Sequence, residues 1–441
     1  MYIRPAWKLQ WGFALTLLKH NRAKGSCNHL LDTVEAKMKE ITQARENSSP
    51  INQGPNAPQP GRILSLDVLR GFDMFWITGG EGIIHTLAVA TGWQFFKVLS
   101  TQLEHVKWEG FHFYDLIFPL FMFIMGASIP YALISKLEKG LPRRTAHKKI
   151  FLRFGTLFVF GLIYNQAWVT DWAHPRVGSV LGEIAFGYLF ASLIVLYSPK
   201  LRSIIICVVG ILIVNAMIQF LVPVPGFGAG VFTPQGSVNY YLDRLFMPGT
   251  FLYYITPDGT TYGLRQIRPP DAFPMYGVEG FMDWFSGIII ALLGVIAGFC
   301  LRNQTLSQYW KVGIFLVTGV GCLVSALILK PWYPIIKLLQ TDTFYLYAGG
   351  FCFILLALFF LIIDVWKIQR WGFFFKVIGM NAITVYMGFQ LIDVDHTSFV
   401  LVGGLAKYMG AYGPVLLSVV TAGLVWASLY ALYRKKIFLK V

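Results

Sequence analysis

The feature that most constrains this chain is a succession of about ten apolar runs, each near the ~20 residues that a helix needs to cross a hydrocarbon core of ~30 Å. They fall at 63–82, 112–135, 149–168, 177–197, 201–222, 279–300, 311–330, 343–364, 372–392 and 411–433. Composition agrees, since 56% of the residues are hydrophobic and only 13% are charged, far from the averages of soluble domains. The expected fold is all-α, a polytopic membrane helix bundle.

Basic residues orient that bundle, because cytoplasmic loops of membrane proteins are enriched in Lys and Arg. With the N-terminus inside, the inner segments hold Lys139, Arg143, Arg144 and Lys148, then Lys200, Arg302, Lys367 with Arg370, and finally Arg434, Lys435, Lys436 and Lys440. The outer connections, including a long one at 223–278, balance basic residues with Asp and Glu. An even number of spans with both termini cytoplasmic follows. The net charge of +15 is then mostly topological and gives no reason to invoke nucleic acid. The same charges suit the anionic headgroups of membrane lipids or an anionic cytosolic substrate.

Cys27, Cys207, Cys300, Cys322 and Cys352 show no metal-ligand spacing, and all but the first lie in or at the ends of apolar runs. They read as small core residues, with no disulfide framework and no metal site. Residues 1–61 are polar and end in "NSSPINQGPNAPQPG", the composition of a linker. The domain organisation is a partly disordered cytosolic tail followed by one transmembrane domain over 62–441.

Ionisable groups in or beside membrane spans are costly unless paired or hydrated, so their positions carry information. Asp67, Arg70 and Asp73 lie along one helix face; Arg70 either pairs with Asp67 or meets an anion in a cavity, where its fork suits phosphate. In "ITGGEGIIH", glycines flank Glu81 and either stop a helix or let backbone amides approach a ligand. Asp115 opens the second span, where the helix dipole favours a carboxylate. His105 lies upstream across the turn-like "KWEG", and an imidazole oriented by a carboxylate suits acid–base or nucleophilic catalysis. His112 is a rival, and His85, His174 and His396 also fall on the outer side; spacing alone does not choose. Glu279 and Asp283 enter the sixth span, Lys337 follows the seventh, and Asn381 interrupts the ninth as helix–helix glue or a ligand contact. Arg143, Arg144, Lys149 and Arg153 in "LPRRTAHKKIFLRFG" form a phosphate dock or an ordinary positive-inside loop. No nucleotide-binding, zinc or kinase motif is present in the sequence.

Three separated pieces, "LSLDVLRGFDMFWI", "HVKWEGFHFYDLIFPLFMFIMGASI" and "GMNAITVYMG", resemble the catalytic domain of the heparan-α-glucosaminide N-acetyltransferase family and its bacterial branch, DUF5009. The likeness continues through "VEGFMDWFSGIIIALLGVIAG" and "PIIK". It implies a membrane acetyltransferase that moves an acetyl group from cytosolic acetyl-CoA to an amino sugar or glycan on the outer face. It further implies His105 as the active-site histidine, Asp115 as its acidic partner and Arg70 as the arginine of the family's Leu-Asp-x-x-Arg-Gly signature. Glu279, Lys337 and Asn381 fall on family-like positions, read with Glu81 as acceptor contacts, while Arg70, Arg143, Arg144, Lys149 and Arg153 are read as acetyl-CoA contacts. Eukaryotic members carry an Asn where this chain reads "ITGGEGIIH", which leaves the acceptor open. A bacterial inner membrane is the expected location, and a homodimer is an assembly the likeness allows. Two other readings fit the same pattern of spans and charges. One is a secondary transporter of a sugar derivative, for which no inverted repeat is visible; the other is O-acetylation of an envelope polysaccharide.

Overall fold

A computed structural model describes residues 63–165, 176–247, 253–257, 259–263, 269–274 and 279–438. The expected tail, His174 and parts of the long outer connection lie outside the described residues. The chain begins with α1 (Leu64–Phe75), a widened turn at Trp76–Gly80, α2 (Glu81–Thr91) and α3 (Gln94–Gln102). Then come α4 (Phe113–Glu138), α5 (Arg143–Tyr164), α6 (Val180–Tyr197), α7 (Leu201–Leu221) and α8 (Val238–Phe246). After a long connection follow α9 (Phe281–Arg302), α10 (Gln308–Leu329), α11 (Asp342–Val365), α12 (Gly372–Gly379), α13 (Ala382–Leu391), α14 (Val394–Tyr408) and α15 (Gly413–Arg434).

Seven helices among the described residues are long and apolar enough to cross a membrane, namely α4, α6, α7, α9, α10, α11 and α15, so the chain is a multi-pass membrane protein. Helices are the expected solution, since backbone groups in lipid must be satisfied within the segment. The other three apolar runs also form helices but fall outside this set for visible reasons. Lys148, Lys149 and Arg153 load α5 with charge. The first run breaks after α1, where Thr78 leaves the helical region and Gly79 adopts a φ of 139°. The run at 372–392 breaks at Asn381, whose φ is −129°. The segment after α13 was expected as a plain connection and is instead α14, started by the Asp393 carboxylate accepting from the His396 N–H at 2.7 Å. Its apolar stretch is too short to read as a span, and it packs on α15 through Thr421, which donates to Asp395 and touches Ser398.

Helix α9 is the most deeply buried span and packs against α4, α6 and α7. Glycines make the α4–α9 crossing tight: a Cβ at Gly126 would overlap the Ala291 carbonyl, and one at Gly294 would overlap that of Phe123. Lipid offers no hydrophobic advantage to helix association, so such close approach, with its dispersion contacts, is what holds spans together. Gly71 and Gly379 do the same where α1 crosses α12. At the end of α9 near Arg302, that side chain pairs with Glu138 of α4.

The long connection between α7 and α9 is not purely helical. Besides α8 it contains a small antiparallel sheet of β1 (Tyr253–Ile255), β2 (Thr261–Gly263) and β3 (Phe273–Pro274) in the order β2-β1-β3. Asn239 of α8 ties this cover to the bundle: its amide accepts from Gln219 at 2.6 Å and donates to Asp283 at 3.3 Å and the Leu339 carbonyl at 3.1 Å. Because no cavity exists at Gly294 to receive a larger side chain, Gly294→Leu should cost about 1–3 kcal/mol or more. A lowered thermal midpoint in detergent checks this, with exposed Gly423→Leu as the control that stays near wild type.

Candidate active site

Two loops distant in sequence are stitched together at one end of the bundle. The α3–α4 loop meets the α10–α11 loop in an isolated antiparallel bridge between Glu109 and Ile336, and the Gly110 N–H donates to the Ile335 carbonyl at 2.9 Å. Gly110 has a φ of 129°, which explains the glycine in "KWEG". Trp108 anchors the same loop from the other side by donating Nε1–H to the Phe232 carbonyl at 2.8 Å.

At the start of α4 the buried Asp115 carboxylate serves two loop segments. One oxygen accepts the His112 N–H at 2.9 Å, completing a capping box; the other lies 2.7 Å from Nδ1 of His105. With Nδ1–H donated to the carboxylate, Nε2 keeps its lone pair. The His112 ring turns away and donates Nδ1–H to the Glu104 carbonyl at 2.9 Å. His85 bonds Ser100 at 2.7 Å instead. Lys337 completes the group: Nζ lies 2.8 and 3.0 Å from the two ring nitrogens of His105 and 3.4 Å from Asp115.

The Lys337 turn is itself fixed from beneath. Gln340 follows it with a φ of 43°, returns its N–H to the Lys337 carbonyl at 2.9 Å and donates its side-chain amide to Glu183 at 2.8 Å. Glu183 is fully buried and also accepts the Tyr345 hydroxyl at 2.7 Å. Sequence reading passed over Glu183, Gln340 and Tyr345. A lone carboxylate within the apolar run 177–197 is the signal that would have found Glu183.

These groups line a cavity of about 680 Å³. Its polar lining includes His105, Lys107, Lys337, Glu183, Glu279 and Asp283, and its apolar lining includes Met74, Ile77, Phe118, Phe121, Ile383 and Tyr386. Glu279 pairs with Arg176 at 3.0 Å. Tyr114 stands with its ring 4.8 Å from that of His105 and hydrogen-bonds Glu81, which thus touches the site at one remove. The structure does not bring the remaining candidates to this cavity. Arg70 lies 3.6 Å from Asp67 and donates to Ser128 at 3.3 Å. Arg143, Arg144 and Lys149 are exposed on α5, and Arg153 stacks over the Tyr188 ring at 4.4 Å. Asn381 donates to the Ile437 carbonyl at 3.3 Å, at the break between α12 and α13.

Although 51% of the His105 side chain is exposed, the protein around it lowers its pKa below the usual value; the positive charge of Lys337 adds to this and Asp115 opposes it. Burial likewise lowers the Lys337 pKa, while the carboxylates of Asp115, Glu279 and Glu183 pull it upward. An imidazole depressed in this way is neutral at pH 7, so Nε2 is available to take a proton or attack a carbonyl.

Fold and site together define a multi-pass membrane protein with a histidine–carboxylate pair in a cavity at one end of its helices. The model of the family described as Domain of unknown function (DUF5009) matches residues 62–256. The chain is 26% identical to the heparan-alpha-glucosaminide N-acetyltransferase of Mus musculus, across 77% of this chain and 56% of that protein. It is 25% identical to the Homo sapiens protein of the same name, across 87% of this chain and 60% of that one. The resemblance read from the motifs is thus borne out, and the chain spans less than two thirds of the length of these relatives.

Removing the Asp115 charge removes the electrostatic attraction that raises the His105 pKa. Asp115→Asn should therefore move the midpoint for His105 deprotonation to lower pH. The pH dependence of diethyl pyrocarbonate labelling at His105, followed by mass spectrometry, checks the direction: labelling rises with pH through the pKa, and the rise comes earlier in the variant.

Proposed function

We propose that this protein is a membrane acetyltransferase that uses acetyl-CoA and acetylates an amino sugar or amine-bearing glycan at the outer face. The observation that carries the reading is the 2.7 Å contact between His105 Nδ1 and Asp115 in the wall of a cavity large enough for two substrate ends. The relatives' names supply the reaction class, and the site supplies a base. The proposed arrangement in the membrane is ten crossings, α1 with its broken continuation, α5 and the α12–α13 pair joining the seven continuous spans. Both termini face the cytoplasm, in a bacterial inner membrane.

In the proposed reaction, His105 Nε2 takes a proton from the acceptor amine as its nitrogen bonds to the thioester carbonyl carbon. The carbonyl oxygen gains charge, the C–S bond breaks, and the imidazolium returns its proton to the departing CoA thiolate. If His105 attacks first, the same Nε2 carries the acetyl group before the amine receives it, and parallel initial-rate lines distinguish this route from direct transfer. The apolar lining suits the pantetheine chain. Arg70, Arg143, Arg144, Lys149 and Arg153 are proposed to meet the CoA phosphates, Arg through planar forks and Lys as a point charge.

The test is transfer of labelled acetyl from acetyl-CoA, by protein in liposomes, to amino sugars compared with hydroxyl-only sugars. A general base supplies ~10²–10⁴ in rate, so His105→Ala should lose about that or more. Full transfer by the variant would remove His105 from the mechanism, and labelling of hydroxyl-only sugars would move the acceptor class to alcohols. Arg143→Ala with Arg144→Ala should raise KM for acetyl-CoA by about 10-fold and leave kcat near wild type.

A further inference from the structure

We propose that Lys337 is a catalytic residue of this site: its ammonium holds the oxygen of the attacked acyl carbonyl. The proposal rests on the acyl-transfer reading above and adds to it a group for the charge that develops in transfer.

Geometry carries the assignment. Lys337 Nζ stands 3.0 Å from Nε2, the atom at which the acceptor or the acyl group is handled. A carbonyl carbon in reacting contact there, about 3–3.5 Å away, brings its oxygen within reach of Nζ. The neighbourhood otherwise repels negative charge, since the Asp115 carboxylate lies 3.4 Å from Nζ. An oxyanion formed there needs a positive donor, and among the described residues the cationic side chains lining the cavity are Lys107, which is exposed, and Lys337, which is half-buried. The lysine is also held in advance. Its turn is closed by the Gln340 N–H on its carbonyl, and Gln340 is clamped to buried Glu183 at 2.8 Å. A donor fixed before the reaction stabilises developing charge without reorganisation, which is where such groups gain their effect. The same ammonium disfavours a second positive charge on the ring.

Two readouts on the full chain test this. In acetyl transfer, Lys337→Gln should lower kcat by about 10²–10³, with KM for acetyl-CoA changed by less than about threefold. Lys337→Cys should fall equally and regain rate when alkylated with 2-bromoethylamine, which rebuilds an ammonium; wild type treated alike is the control. Unchanged kcat in Lys337→Gln, a loss confined to KM, failed rescue, or acetyl-lysine at 337 in wild type after turnover would each overturn the proposal.

The second readout needs no acetyl transfer. Diethyl pyrocarbonate acylates His105 through a comparable tetrahedral oxyanion, and the charged or titratable groups around that ring are Asp115, Lys337, His112 and Tyr114. Lys337→Gln should shift the labelling midpoint to higher pH and lower its plateau rate, whereas an unaltered profile overturns the role of Lys337. If wild type transfers acetyl to neither an amine nor a hydroxyl acceptor, the acyltransferase reading fails, and this profile still decides the part played by Lys337.

Discussion

Asp115 is buried completely while its two oxygens accept from different parts of one loop. One bond, from the His112 N–H, closes the first turn of α4; the other holds the His105 ring. A buried carboxylate left unpaired would be expensive, so the α3–α4 loop must return to this helix start for the span to be stable there. Structural need and site geometry are thereby the same interaction. The ring of His105 cannot be released without exposing the charge that caps α4.

From that anchor the site is built outward by backbone pairing and small residues. The bridge between Glu109 and Ile336 brings the Lys337 turn against the histidine loop, and Gln340 ties that turn down to Glu183 on α6. Glu183 keeps its place because α6 packs on α9, and α9 keeps its own because Gly126 and Gly294 let it lie against α4. Stability of the bundle and positioning of the cavity therefore share one set of helix contacts.

The spans were legible because hydrophobic length is a local property. Breaks inside them were less so: the Gly79 turn was foreshadowed by "ITGGEG", and Asn381 was noticed as a polar interruption, but neither pattern alone says that a helix stops there. Helix α14 was missed because a fifteen-residue segment with paired glycines is too short to announce itself as a span. Glu183 was overlooked although it carries the same signal that drew attention to Asp73, a carboxylate within hydrocarbon.

By itself the sequence determined that this chain is a helical multi-pass membrane protein, and it set His105 and Asp115 close enough along the chain to meet. It also displayed, in motifs spread from the first apolar run to the ninth, a likeness to the N-acetyltransferase relatives. Spacing alone left His105 and His112 as rivals and the family likeness pointed to His105; the tertiary structure showed how, with the His105 ring on one Asp115 oxygen and the His112 backbone N–H on the other. It alone brought Lys337 from 232 residues away onto the imidazole, and separated the basic cluster of α5 from the cavity lining. Helix formation depends on neighbours a few residues apart, whereas contacts between loops depend on how every intervening helix packs.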